Sequence, residues 1–294
     1  MASCSPDSGQ PSLLAFLLPF WMPWLDHCLA LIVSKLSASV KQPAFVVEVP
    51  YTTSPKMTRY EGPLIDPNPE PRYLDAKRRE LDLLGSELFA QHDTPQTREL
   101  ISKAATALNC ANASPIERIE DLALCLNEDV ALLENDVLTA ICFCFPSSWV
   151  PAKRLGMALA QIHHPVADGE RLVQASPKIA HVMSDPQQGS FRRYVWTISN
   201  SAELSQHPLR KSKVIPKRVE DLYYRLETQT TMPINTSLGR ASLFLVKVEV
   251  CPLMTFWQNP EQRIQICASI QSMSEAVLEY KNLRSIKALL LGND

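Results

Sequence analysis

The sequence predicts an α+β domain built on an antiparallel sheet. Three observations carry this. Between residues 73 and 126 apolar side chains recur at helical spacing in three separate segments. From Asp129 the period drops to alternate residues, in runs joined by short polar turns, which is the pattern of hairpins. The two kinds of element come in blocks and not in strict alternation, which argues against a parallel sheet. The chain has 294 residues, 46% of them hydrophobic and 20% charged, enough to bury a core in one large domain with an extension.

Taken in order, residues 1–10 are small and polar. Residues 11–33 are apolar and long enough to span a bilayer, with Trp21 and Trp24 suited to an interface. Pro19, Pro23 and the Asp26–His27 pair interrupt the run, and no basic residue precedes it as a secretory signal requires. Lys35 and Lys41 follow it, which favours a cytoplasmic C-terminal side if it inserts. The expectation is a membrane contact, the alternative a hydrophobic arm packed on the domain. The chain thus divides into an apolar segment, 1–42, and a folded domain, 43–294, either membrane-associated and facing the cytosol or cytoplasmic.

Residues 43–71 are proline-rich, with one short strand expected at 45–49. A helix is expected over 73–92, with Leu74, Leu81, Leu84 and Leu88 on one face. A second runs over 94–110, opened by Thr94 as N-cap and Pro95 behind it. A third spans 114–126, opened by Ser114–Pro115. Strands at 130–133 and 137–145 flank the turn Glu134–Asn135–Asp136, and Pro146 ends the second. A short helix is expected at 151–162 and a longer one at 169–184, disturbed by Pro177. Strands follow at 191–198, 223–232 and 241–250, then a closing helix at 260–278 and an amphipathic tail at 282–291. A sheet of about five strands curling around inserted helices can hold a pocket.

Composition excludes several functions. Formal net charge is -2, from 29 basic and 31 acidic residues, so nothing suggests nucleic acid as partner. The chain has only 8 glycines and no glycine-rich phosphate loop. Its 8 cysteines form no C-x-x-C pair, so structural zinc is not expected. Cys142 and Cys144 share a strand face opposite Phe143, as ordinary buried thiols or with a ligand or redox role. The 6 histidines include no H-x-H or H-x-x-x-H pair. His163 and His164 are adjacent and point to different sides, and Pro165 stiffens the exit. By spacing alone a lone histidine here is structural. Ser147–Ser148 sit in a proline turn with no nucleophile elbow, and Glu128–Asp129 read as caps of the hairpin, with a carboxylate pair for acid–base work left open. Alternation lets one of Arg192–Arg193 face inward, where it needs an anionic partner, or leaves both on solvated faces. Arg225, Glu227 and Gln229 share one strand face, lining a cavity or an exposed surface.

Five blocks then stand in a fixed order: Asn127–Glu128–Asp129; Cys144–Phe145–Pro146–Ser147, Trp149 and Pro151, with Arg154 and Gly156; Ile162–His163–His164–Pro165–Val166; Arg193–Tyr194–Val195–Trp196; and Arg225–Leu226–Glu227–Thr228–Gln229–Thr230–Thr231. They resemble the haem-dependent oxidative N-demethylase family, including fungal HRQ family proteins, over roughly residues 56–253. The family pattern runs FPS-x-W-x-P-x-x-K-x-G, IHxPV, R-x-NW and R-x-(E/H)RQTL. This chain departs from it with Arg154 for Lys, Val195 for Asn, Thr228 for Arg and Thr231 for Leu. The resemblance implies a PAS-like fold with a haem pocket, haem b as cofactor and His163 as the iron ligand. It implies Arg154, Arg193 and Trp196 as cofactor-binding residues, and Arg225, Glu227, Thr228 and Gln229 as the catalytic, distal side. It further implies oxidation or N-demethylation of a small amine-like substrate with O2. Electrons would come from a separate flavin or iron–sulfur reductase, because this chain has no flavin or NADPH motif. Thr228 loses a charge where a distal cation is expected. The substrate then differs, or Arg225 substitutes, or catalysis is lost. The last case leaves a non-catalytic haem or gas-binding sensor, and an empty pocket would leave a membrane-tethered interaction protein.

Overall fold

The computed structural model describes residues 42–110, 114–210, 215–236 and 239–292. The apolar run 11–33 lies outside them. β1 is Thr58–Tyr60, and the stretch 45–49, where a strand was expected, has no regular secondary structure and lies outside the sheet. Its Phe45 ring instead lies 5.1 Å from Phe256 and 6.2 Å from Tyr224. α1, Pro71–Leu84, is shorter than the helix expected over 73–92. Gly85 stops it at φ 49°, and Phe89–Gln91 leave as strand β2. No neighbour lies within 4 Å of a Cβ added at Gly85, so a side chain there meets only backbone strain. Gly85→Ala is expected to lower stability by about 1–2 kcal/mol, read as a lower urea midpoint at unchanged slope.

The buried face of α1 also differs from the expected leucine stripe. It carries Tyr73, Ala76, Lys77 and Glu80; of the expected leucines, Leu81 packs at the border of the core and Leu88 is buried beyond the end of the helix. Lys77 can turn inward because its Nζ donates to Ala123 O at 2.8 Å and to Glu128 O. α2, Pro95–Ala107, has the Thr94 cap read from sequence, its side chain accepting from Thr97 N at 3.1 Å. α3, Ile119–Ala123, is a single turn where a helix over 114–126 was expected, because Arg118 before it is still extended.

β3, Asp129–Glu134, and β4, Val137–Cys142, form the expected hairpin, with Asn135 and Asp136 at φ 49° and 74°. The helix expected over 151–162 is broken in two. A 3₁₀ turn, Pro151–Arg154, is separated by Gly156 (φ 78°) from α4, Leu159–His163. Leu138 N donates to Met157 O at 3.0 Å, which pins the break to the sheet edge. α5, Glu170–Ser184, keeps Pro177 inside it. β5 is Ser190–Ser199, β6 Tyr223–Asn235 and β7 Arg240–Pro252. α6, Met254–Trp257, leads to α7, Pro260–Gln271, and α8, Glu275–Tyr280. Ser274 caps α8 by accepting from Val277 N, so the closing helix expected over 260–278 is two helices. The tail holds α9, Lys287–Leu291.

All strand pairs are antiparallel, in the order β1-β5-β6-β7-β3-β4-β2, which makes the protein α+β as expected. One core joins α1, α2 and α3 to β3, β4 and β7. A second packs Trp196, Ile198, Tyr224 and Leu226 against Phe256, Ile266, Ile270 and Leu278. The start of β6 is therefore buried on both faces, with Tyr224, Arg225 and Leu226 all at 0% exposure. No described helix is long and apolar enough to cross a membrane.

Candidate functional site

Asp129 opens β3 and is fully buried. Its carboxylate accepts from Cys144 N at 3.0 Å and Phe145 N at 2.8 Å, so it shapes the turn after β4 instead of capping the hairpin. Burial pushes its pKa up to about 6, against the pull of Lys77, whose Nζ is 4.0 Å away. Asn127 accepts from Glu70 N at 2.7 Å. The same turn is strapped from the other side: Ser148 N donates to Gln206 O, and Gln206 N to Pro146 O. Cys142 and Cys144 lie side by side as buried free thiols, Sγ to Sγ 4.0 Å.

This turn delivers Ser147 to the sheet. Ser147 Oγ donates to Glu227 Oε1 at 2.6 Å and accepts from Arg225 Nε at 3.2 Å. Gln229 Nε2 donates to Glu227 Oε2 at 3.0 Å, and Arg193 Nε donates to Gln229 Oε1 at 2.7 Å. The result is one hydrogen-bonded line, Arg225–Ser147–Glu227–Gln229–Arg193, across one face of β5 and β6. Strand alternation makes it possible, since Arg225, Glu227 and Gln229 share a face and Arg193 is the register partner of Gln229. The Arg225 guanidinium is anchored further by Leu204 O at 2.6 Å and Phe145 O at 2.8 Å. Its nearest carboxylate oxygen belongs to Glu227, 3.6 Å away.

His163 ends α4, and the charge of Arg193, the last member of this line, reaches its ring. Its Nδ1 is 3.4 Å from Ser176 Oγ on α5. The Ser176 hydroxyl donates to Leu172 O at 2.8 Å, so its oxygen accepts from His163, which puts the ring proton on Nδ1 and leaves the Nε2 lone pair for a ligand. Burial first, then the nearby Arg193 charge, push the imidazole pKa down from 6.5 to about 4. The ring is therefore neutral at physiological pH. Because the folded pKa is below the unfolded one, the unfolded chain binds the proton first and stability falls as pH drops from about 6.5 toward 4. Melting curves of the haem-free chain are expected to show this loss, and His163→Gln to lose less over the same window.

Two residues outside the five sequence blocks, Lys281 and Tyr51, lie in electrostatic reach of Arg193. Lys281 follows α8 and places its ammonium 5.0 Å from the Tyr51 ring centroid, donating to Trp196 O at 2.7 Å. The residue is half-buried with its charge inside, and desolvation pushes its pKa down to about 8. Tyr51 is held by Ser272 Oγ, which accepts from its N–H at 2.9 Å. Arg154 acts on Tyr280 electrostatically, and Tyr280 in turn feels Glu227 and Arg193. Ser147 belongs to the second of the five sequence blocks, but only the fold shows its partners, Glu227 and Arg225. Neither Lys281 nor Ser176 carries any signal in a helical pattern.

Two of the named residues lie elsewhere. Thr228 points from the opposite face of β6, in register with Tyr194 and Lys247. Trp196 is also on that opposite face and stacks on Tyr224 in the second core, centroids 6.2 Å apart at 11°. Odd spacing from Gln229 and Arg193 is the reason in both cases. Of the departures from the family pattern, Val195 does face the site, opposite Glu227. Two surface hollows, of about 390 and 410 Å³, lie against α2 and between α7 and α9, and neither is bordered by His163.

Among the described residues no three His, Cys, Asp or Glu side chains gather as a metal cage. A single oriented imidazole instead fits a cofactor that brings its own other ligands, and Arg193, whose charge reaches the ring, fits a group with carboxylates. No curated protein matches the chain. The model of the family described as haem-dependent oxidative N-demethylase, alpha subunit-like, matches residues 86–291, which include His163, the line from Arg225 to Arg193, and Lys281. The chain belongs to the haem-dependent oxidative N-demethylase alpha-subunit-like family.

Proposed function

We propose that residues 43–294 form a PAS-like haem-binding domain that oxidises, and in the family's manner N-demethylates, a small amine-like substrate. The observation that carries this reading is the oriented, neutral His163 next to the line Arg225–Ser147–Glu227–Gln229–Arg193. The antiparallel sheet with α4 and α5 inserted supports the fold assignment. His163 would hold haem b through Nε2, with Arg193 and Arg154 facing its carboxylates. When bound, haem supplies an iron that can activate O2 for oxidation of an amine. Electrons come from a separate flavin or iron–sulfur reductase, consistent with a family described as an alpha subunit. Residues 11–33 are a proposed membrane contact.

The chain's own residues then have definite tasks. Ser176 fixes the His163 ring, and burial, helped by the Arg193 charge, keeps it unprotonated. Glu227 is held in one place by two donors, Ser147 and Gln229, and provides a fixed negative charge on the wall. Val195, opposite Glu227, makes this patch drier than the asparagine of the family pattern would. Thr228, on the other face, takes no part, and Arg225 is held by the turn instead of reaching out to replace a distal cation.

That saturation of Glu227 and Arg225 favours a second reading, a non-catalytic haem or gas-binding sensor. One assay separates the two. The haem-loaded chain is given O2, a reduced reductase and an N-methylated amine, and formaldehyde is measured. Formaldehyde formed in step with amine loss supports the demethylase. Reversible CO binding with no formaldehyde supports the sensor.

A further inference from the structure

Arg193 and Lys281 are two inward cations without an anion of their own. Arg193 donates to Gln229 Oε1 and, at 3.4 Å, to Pro55 O, both neutral acceptors. Lys281 donates to Trp196 O and rests against the Tyr51 and Trp196 rings. No carboxylate lies within ion-pair distance of either among the described residues. Glu227 is in electrostatic reach of both, but its two oxygens are taken by Ser147 and Gln229, and its nearest cation is Arg225. Glu227 is thus the carboxylate that acts on Arg193 and Lys281, and it is shared with Arg225, which Asp129 also reaches. Gathering like charges away from water is costly unless an anion joins them. The Lys281 ammonium has three N–H donors, of which one is used among the described residues.

We infer that Lys281 and Arg193 form a two-cation seat for a carboxylate group, closed over the site by the end of α8. This rests on the haem-binding reading above and extends it to a residue outside the five sequence blocks. The carboxylate has two chemical sources: a propionate of the haem, or a carboxylate on the organic substrate. Arg193 offers the planar fork and Lys281 the point charge, and the Tyr51 ring sets the lysine's direction.

The test uses the full chain and its Lys281→Met and Lys281→Arg variants, with melting curves as a folding control. In one arm, haem and its dimethyl ester, which lacks the propionate charges, are titrated into each protein. In the other, sarcosine, an N-methylamine bearing a carboxylate, is added to the haem-free proteins and the melting midpoint is read. If propionates fill the seat, the wild type binds haem at least about tenfold tighter than the ester, Lys281→Met loses that preference and Lys281→Arg keeps most of it. If the substrate fills it, sarcosine raises the midpoint of the wild type and Lys281→Arg but not of Lys281→Met. The seat is overturned if the wild type shows neither effect, or if Lys281→Met retains whichever effect the wild type shows. Failure of the wild type to bind haem at all would instead defeat the haem-binding reading, and the sarcosine arm would still decide the seat.

Discussion

Arg225→Leu is expected to destabilise the protein by about 3–5 kcal/mol, because it strands a buried network that nothing else satisfies. The guanidinium has no exposure and donates to Ser147 Oγ, Leu204 O and Phe145 O. A leucine fills much of the volume but leaves those two carbonyls unpaired and Glu227 without its nearest cation. Arg225→Lys keeps a charge but cannot reach three acceptors from one fork, so it lies between leucine and wild type. Urea unfolding followed by fluorescence measures the difference. Adding Glu227→Leu to Arg225→Leu is expected to recover part of the loss, since the two side chains are coupled. A loss under about 1 kcal/mol in Arg225→Leu would mean that the network does not hold the Ser147 turn to the sheet.

His163→Ala is expected to lower haem affinity at least about a hundredfold, since loss of outer-shell partners alone commonly costs ten- to a hundredfold. The geometry makes this specific to one ring. His163 is fixed through Nδ1 by Ser176 and is kept neutral by burial and Arg193. His164, its neighbour, is exposed. His164→Ala is therefore expected to bind haem as the wild type does. His163→Gly opens a space for exogenous imidazole, and added imidazole should restore the bound spectrum. If His163→Ala and the wild type bind alike, the ligand is another residue.

Part of this architecture was legible in the residues. The hairpin at β3 and β4 showed because alternation and the Asn–Asp turn agree, and α2 showed because Thr94–Pro95 is a local start signal. Arg225, Glu227 and Gln229 could be set on one face because the strand period is 2. The rest depended on distant partners. Lys77 enters the core only because the carbonyls of Ala123 and Glu128, 46 and 51 residues on, accept from its ammonium. Helix 73–92 ran too far because Gly85 in a positive-φ conformation looks like any helix glycine in a periodicity count. Thr228 drew weight from its motif position, and only register shows that the residue before Gln229 points the other way. Lys281 belongs to the site through tertiary packing alone, 85 residues beyond the Trp196 carbonyl that holds it.

The central claim, a haem seat at His163, is tested most directly by titrating haem into the purified full chain and recording the visible spectrum. A Soret band distinct from that of free haem, growing to saturation at one haem per chain, is the expected result. A spectrum that stays that of free haem at every ratio would contradict it.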